Sequence, residues 1–458
     1  MSDTLMISVS GMRGHVGTDL TPELVARHAS ALGAWVRNGG SGEARPAVVL
    51  GRDSRTSGPM FARAAAAGLM SVGVDVIDLG MVPTPTVQLA VEHHRAGAGL
   101  ILTASHNPIE WNALKFVGPD GIFLDAAAGE QVRALAEAGP PRAGWDGLGE
   151  LRTDPVAVSR HLDAILALSM IDVTAIRARR FQVGLDCVRG AGATALPDLL
   201  ERLGCTVHAI NLEPDGRFPR APEPVPENLG ELGRLVQKTG ADIGLAVDPD
   251  VDRLALVDEA GRPIGEDYTL AFAVRAVLDR RVTEAANSCV VINLSTSLVV
   301  EDAARAGGAR VFRAPVGEAN VARAIRQQKA IIGGEGNGGV MLPSLHIGRD
   351  APLGVALILH LLATSRVTPS ELVTSAPRYT IVKAKGPRGP DLGRLYQDLR
   401  RRFPEAESDE RDGLRLSWPD RWLHVRPSGT EPIVRLIAEA PTAADAEALV
   451  AAGRELLH

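Results

Sequence analysis

Short aliphatic runs that end in polar or glycine-rich loops recur along this chain, and three stretches present them in the same order. The first passes from AVVLGRDSR through an alanine-rich helix that stops at Gly73 to VDVIDLG and then GLILTASHNP. The second passes from FQVGLDCVRGAG through a helix ending at Gly204 to CTVHAINL and ADIGLAVDPDVDR. The third passes from CVVINLSTS through a helix ending near Gly308 to ARVFRAPV and KAIIGGEGNGG. Near-continuous apolar runs are what parallel strands buried on both faces require, and a glycine after a periodic segment marks a helix stop. The order predicts three similar α/β units, each presenting the loop after its last strand to a shared cleft. Three unrelated α/β modules with ordinary glycine turns would show the same local patterns.

After about Ser365 the rhythm changes. The strand YTIVKAKG, the helix DLGRLYQDLRRRF, short strands through LRLSW, WLHVRPS and IVRLIAEA, and a terminal helix in TAADAEALVAAGRELL predict a smaller α+β domain. The expected fold class is therefore α/β, three similar mixed α/β domains followed by a smaller α+β C-terminal domain around a central cleft. The expected boundaries are 1–150, 151–257, 258–365 and 366–458.

Composition narrows the function classes. With 49 basic against 55 acidic residues, a net charge of −6, the chain does not read as a nucleic-acid binder, and 3% aromatics leave few stacking platforms for bases. Hydrophobic residues at 45% supply several cores. Three scattered cysteines are a poor disulfide framework. The N-terminus lacks a basic region followed by an apolar run, and the longest aliphatic stretch, near residues 353–363, is too short to span a bilayer. The expectation is a cytoplasmic protein with no nucleic-acid or membrane partner; the oligomeric state is not legible.

Candidate chemistry sits in the loops. In TASHNP, Ser105 follows an apolar strand and precedes His106, so its hydroxyl is placed either as a nucleophile or as an ordinary turn residue. Lys115, in WNALKF, is near enough to return to the same edge. In DPDVDR, Asp248, Asp250 and Asp252 crowd one strand end and repel one another unless a cation intervenes; magnesium suits such oxygen ligands, with a solvated acidic turn as the alternative. An EF-hand is set aside because Arg253 stands where that loop needs glycine. In GEGNGG, Glu335 and Asn337 offer hydroxyl-binding groups or simply a glycine-rich turn. RPSGTEP, with Arg426, Ser428, Gly429 and Thr430, fits a phosphate or a tight turn, and lacks Walker A spacing. Arg13 stands between glycines in SGMRG and Arg52 and Arg55 in GRDSR lie at another strand end, with surface ion pairs as the alternative.

In this order, SGMRG, GRDSR, TASHNP, DPDVDR, GEGNGG and RPSGTEP resemble the α-D-phosphohexomutase superfamily across nearly the whole chain, and within it most resemble the phosphoglucosamine mutases. The resemblance implies an isomerase that moves a phosphoryl group on a phosphosugar. Ser105 matches the phosphoserine and, with Asp248, Asp250 and Asp252, a Mg2+ site. Glu335 and Asn337 match the sugar loop, and Arg426, Ser428, Gly429 and Thr430 the phosphate clamp. Arg13, Lys115 and Arg253 match basic residues around the reacting phosphate, beside His106. Where many relatives carry a histidine after the sugar loop this chain has Gly339, and His346 in LHIGRD is the expected substitute. Phosphoglucomutase/phosphomannomutase activity is the alternative substrate reading, and a serine-nucleophile metallophosphatase, releasing phosphate, is the rival of another class.

Overall fold

The structure is a computed structural model, which describes residues 5–8, 11–39, 45–279, 288–388, 391–428 and 433–457. Four sheets organise it. The first contains β1 (Met6–Ser8), β2 (Gly11–His15), β3 (Ala47–Arg52), β4 (Asp75–Met81), β5 (Ala98–Leu102), β6 (Trp111–Val117) and β7 (Leu151–Thr153), in the order β1-β2-β6-β5-β3-β4-β7. The second contains β8 (Gln182–Asp186), β9 (Thr206–Ile210), β10 (Ile243–Val247) and β11 (Leu254–Val257), in the order β11-β10-β8-β9. The third contains β12 (Cys289–Asn293), β13 (Arg310–Ala314), β14 (Ile332–Glu335) and β15 (Gly339–Met341), in the order β13-β12-β14-β15.

These three sheets share one motif. In each, three parallel strands run side by side with the first in chain order at the centre, as β5-β3-β4, β10-β8-β9 and β14-β12-β13. In each, the last parallel strand then doubles back into an antiparallel partner, β6, β11 or β15. The aliphatic runs β5, β10 and β12 are buried along their whole length, the reason they lack polar alternation. The short return strands LALV and GVM carry no pattern long enough to be read from sequence. Their consequence is large: each chemically suggestive loop is a corner tied down by a strand on both sides.

The fourth sheet, β16 (Thr380–Pro387), β17 (Glu407–Asp409), β18 (Leu414–Ser417), β19 (Trp422–Pro427) and β20 (Ile433–Ala440), is antiparallel throughout, in the order β16-β20-β19-β18-β17. It has its own core under the helices Leu392–Arg402 and Ala443–Glu455, built around Leu399, Leu423 and Leu436.

One core, by contrast, runs through the second and third units. At its centre lies the helix Ala351–Ser365, buried from Ala351 to Ala363 and apolar on every side, as a helix enclosed by protein must be. It packs on the helices Glu266–Asp279, Val173–Arg179 and Ala157–Leu166. No single helix among the described residues is long and apolar enough to cross a membrane.

Two expected boundaries shift. The cut at 150 falls just ahead of β7, which joins the first sheet beside β4. The cut at 365 separates the helix Pro369–Ser375 from the third unit, yet Leu372 is part of the shared core and Glu259 accepts from the Ser370 N–H at 3.2 Å. Both are tertiary contacts of short segments, which a change in local pattern does not register.

Candidate active site

Strand β5 delivers the chain to a corner where Ser105 adopts φ +50°. This left-handed backbone costs a non-glycine residue about 1–3 kcal/mol and persists only where its surroundings over-determine it. Here Arg55 does so. Its side chain has no exposed surface, and all five N–H groups donate beneath the loop. Nε donates to Asp53 (3.0 Å), one terminal nitrogen to the carbonyls of Pro108 (2.5 Å) and Trp111 (2.9 Å), and the other to Ser105 (2.7 Å) and Asn107 (2.6 Å). Asp53 also accepts from the Thr103 hydroxyl (2.6 Å), whose oxygen accepts from the Ser105 N–H (2.9 Å). The alternative of a surface ion pair is thus wrong for Arg55, which sequence reasoning undervalued. Arg52 stays at the strand end, within 3.4 Å of the Asp53 carbonyl.

The loop so held points the Ser105 hydroxyl at Asp248 Oδ2, 3.0 Å away, with His106 Nδ1 at 3.4 Å. The aspartate loop opposite is strained as well, Val251 having φ +64°, an outlier for a β-branched residue. Donor oxygens of Asp248, Asp250 and Asp252 lie within 4.8 Å of one another and all three residues are buried. Each is braced on one side. Asp248 Oδ1 accepts from the Arg253 N–H (3.2 Å), Asp250 Oδ2 from Lys115 Nζ (2.7 Å) and Thr84 (3.0 Å), and Asp252 Oδ2 from Arg349 (2.5 Å). Asp250 Oδ1 and Asp252 Oδ1 are buried without a hydrogen-bond partner. Burial, then the neighbouring Asp252 and Asp250, push the Asp248 carboxyl well above its ordinary range. Burial acts the same way on Asp250, but Lys115 together with Asp248 and Arg349 outweighs it and holds that carboxyl low. Two buried, orphaned carboxylate oxygens among three converging aspartates fit a hard divalent cation with oxygen ligands.

A cavity of about 240 Å³ opens over this pair of loops, lined by Arg13, Ser105, His106, Lys115, Arg253 and Arg349 among others. Arg13 comes from β2, whose Gly11 lies opposite Lys115 on β6. Gly11 has φ +145°, and a Cβ there would stand 1.8 Å from the Leu114 carbonyl oxygen, so only glycine lets β2 approach this closely. Arg13 donates to Asn107 Oδ1 (2.6 Å), and Arg253 to Glu223 (3.1 Å). Burial and the nearby Arg253 and Arg13 push the His106 imidazole down to about 2, so the ring is neutral. Four cations above three aspartates make a floor for a cation and a mouth for a phosphate dianion.

Arg349, missed from sequence, joins the aspartate loop to the GEGNGG loop. Besides Asp252 it donates to Glu318 (3.1 Å) and Glu335 (3.0 Å). Its only sequence signal is the GRD preceding an apolar helix. Glu335 also accepts from Asn293 (2.9 Å) and the Gly317 N–H (3.0 Å), which leaves its carboxylate room for about one more hydrogen bond. Asn337 is half-buried, accepting from the Gly339 N–H at 3.3 Å.

His346 is the expectation that fails. Its side chain has no exposed surface, it does not line the cavity, and its Nε2 lies 2.9 Å from Asp350 Oδ2. The carboxylate of Asp350, four residues along at the N-cap of the next helix, holds it inside the protein.

Arg426 lies on β19, paired with Asp412 at 3.1 Å, and Asp412 accepts from the Val316 N–H (3.0 Å) next to the cavity-lining Gly317. This places Arg426 near the cleft rim rather than at Ser105. Ser428 is buried and its N–H donates to the Ile433 carbonyl (2.9 Å), while Gly429 and Thr430 lie outside the described residues.

Four family models match in order. They are phosphoglucomutase/phosphomannomutase α/β/α domains I (5–142), II (159–261) and III (265–379) and the C-terminal domain (388–456). A "Phosphoglucomutase/phosphomannomutase" of Thermococcus kodakarensis is 39% identical, covering 98% of this chain and 97% of its own length. A "Probable phosphoglucosamine mutase" of Methanopyrus kandleri is 37% identical over 94% of this chain and 93% of its own. The crystal structure of a phosphoglucomutase/phosphomannomutase family protein from Burkholderia thailandensis superposes with a TM-score of 0.86 at 28% identity, covering 99% of this chain and 98% of that one. With the four-domain architecture and the serine and aspartate loops meeting at one cleft, the chain belongs to the α-D-phosphohexomutase superfamily, a family of isomerases.

Proposed function

We propose that this protein is a phosphoglucosamine mutase, interconverting glucosamine 6-phosphate and glucosamine 1-phosphate through a phosphoserine at Ser105 and a bisphosphorylated sugar. The observation that carries the reading is the Ser105 hydroxyl, held in a strained corner 3.0 Å from Asp248 at the floor of a cation-lined cavity. The relative from Methanopyrus kandleri supports the glucosamine substrate. That from Thermococcus kodakarensis favours the second reading, a phosphoglucomutase/phosphomannomutase.

In the forward half-reaction a sugar hydroxyl attacks the phosphorus on Ser105. The new sugar O–P bond forms as the Ser105 Oγ–P bond breaks. The sugar hydroxyl loses its proton and Ser105 Oγ takes one up as it leaves, with His106 Nδ1 beside that leaving oxygen at 3.4 Å. Arg13, Lys115 and Arg253 balance the phosphoryl charge and align the in-line transfer. Asp248, Asp250 and Asp252 would hold Mg2+, which when bound neutralises charge on the transferring group. The bisphosphate then turns end over end and returns its other phosphoryl group to Ser105. Glu335 and Asn337 hold the sugar hydroxyls, while Arg426, Ser428, Gly429 and Thr430 grip the distant phosphate and help exclude water.

Coupled assays with glucosamine, glucose and mannose phosphates, run beside a phosphate-release assay, test this. Isomerisation with the highest kcat/KM for glucosamine phosphate is expected. A higher value for glucose or mannose phosphate moves the assignment to the second reading, and dominant phosphate release overturns both in favour of a phosphatase.

A further inference from the structure

At the N-terminus of the helix Ala351–Ser365, three side chains from different parts of the chain converge. His161, from the helix Ala157–Leu166, places Nε2 2.8 Å from Asp350 Oδ2, and His346 places Nε2 2.9 Å from the same oxygen. All three side chains have no exposed surface. The rings stand at 85° with centroids 6.2 Å apart, fanned around the carboxylate rather than stacked. Their donor atoms lie within 4.8 Å of one another.

The far atoms of two of these groups are also held. His161 Nδ1 is 2.9 Å from the Thr86 hydroxyl, on the helix Thr84–His94 of the first unit, and Asp350 Oδ1 caps the helix through the Leu353 N–H at 2.9 Å. Support of this kind orients metal-binding imidazoles and carboxylates. A hydrogen-bonded triad alone leaves atoms unsatisfied. With both Nε2–H groups donating to Asp350, His346 Nδ1 is a buried acceptor without a hydrogen-bond partner, as is Gln88 Oε1, which lies 2.3 Å from where a Cβ on Gly348 would sit. A cavity of about 350 Å³ between the first and second units, lined by Thr86, Glu92 and His161, borders the cluster at His161.

We propose that His161, His346 and Asp350 form a second, structural metal site, for a first-row transition ion of the zinc class, that ties the first three units together. Two imidazoles and one carboxylate select such an ion over magnesium or calcium, which take oxygen ligands. Bonds of about 2.0–2.1 Å need the donors only about 3.3 Å apart, a small opening from their present spacing. Binding moves each histidine proton from Nε2 to Nδ1 without net release. His161 then donates to Thr86, and His346 Nδ1 becomes a donor in the turn where Gln88 Oε1 stands unpaired. A fourth position remains for water.

The full-length protein, stripped with chelator and dialysed against Co2+ in excess Mg2+, provides the test. Elemental analysis should find one tightly held cobalt per chain, with visible absorption bands of a four-coordinate ion that zinc abolishes. A His161→Gln, His346→Gln double variant should lose the ion, and Thr86→Val, which leaves all three ligands in place, should weaken binding by about tenfold or more. Asp250→Asn should retain it. Absence of tight cobalt in the unsubstituted protein overturns the site, as does cobalt lost in Asp250→Asn but kept in the double variant, which would place the ion in the cleft. If the double variant does not fold, Thr86→Val decides: unchanged affinity there overturns the proposal.

Discussion

At the Ser105 end of the cleft, Arg55 commits five N–H groups to one loop, and the three aspartates opposite are each braced by a basic side chain, a hydroxyl or a backbone N–H. At the Arg426 end, the fourth unit rests on the third through a few polar contacts. Among them are Asp412 to the Val316 N–H, His424 to Ser295, Glu439 to Ser297 and the Leu298 N–H at the start of a helix, and Lys383 to Glu266. The first arrangement stores backbone strain and cannot shift by an ångström without breaking buried hydrogen bonds. The second joins two units whose hydrophobic cores are separate. Phosphoryl transfer needs fixed geometry, whereas a sugar that must enter, turn and leave needs a cover that moves.

The contrast can be broken most severely at Ser105. Ser105→Ala should lower mutase turnover by roughly 10⁴-fold or more while the thermal midpoint stays near that of the parent; near-normal turnover would remove Ser105 from the transfer step. Arg55→Met comes next. Removing a buried charge that leaves Asp53 unpaired should cost about 3–5 kcal/mol in urea unfolding, with activity falling even in the folded fraction. A loss confined to activity would mean the loop holds its shape without Arg55.

At the other end the effects should be smaller and of another kind. Arg426→Ala should raise KM for the phosphosugar about tenfold with kcat little changed, as expected for a group that grips substrate away from the reacting bond. A drop in kcat with unchanged KM would place Arg426 in the transfer step and erase the distinction. His424 sharpens the picture through pH. Burial pushes its imidazole down to about 4, its Nε2–H donating to the Asp412 carbonyl and its Nδ1 accepting from Ser295. The unfolded chain binds a proton below its ordinary value near 6.5 while the folded one does not until about 4. Stability is therefore full above pH 6.5 and should fall by up to about 1.4 kcal/mol per pH unit down to pH 4. Melting curves of His424→Gln should show that slope reduced; an identical slope would assign it elsewhere.

Much of this was legible along the chain. Alternation of short apolar runs and glycine-stopped helices announces the three α/β units, because burial on both faces of a parallel strand admits little else. The polar residues at the strand ends, Ser105 and the three aspartates, are visible as departures from those runs. Not visible were the return strands β11 and β15, only 4 and 3 residues long, and the roles of Arg55 and Arg349. His346 was misplaced for a related reason. A histidine in a polar stretch reads as available, and only the packed helix shows that Asp350 and His161 claim it.

By itself the sequence determined the kind of each element and the residue types offered at its end, since side-chain burial repeats with the local period of strand or helix. Tertiary structure alone decided which of those ends meet. Ser105 and Asp248 are 143 residues apart, and Asp252 and Arg349 are 97. Their contact depends on how whole units pack across a shared core, a balance of buried area and hydrogen bonding that no local window contains.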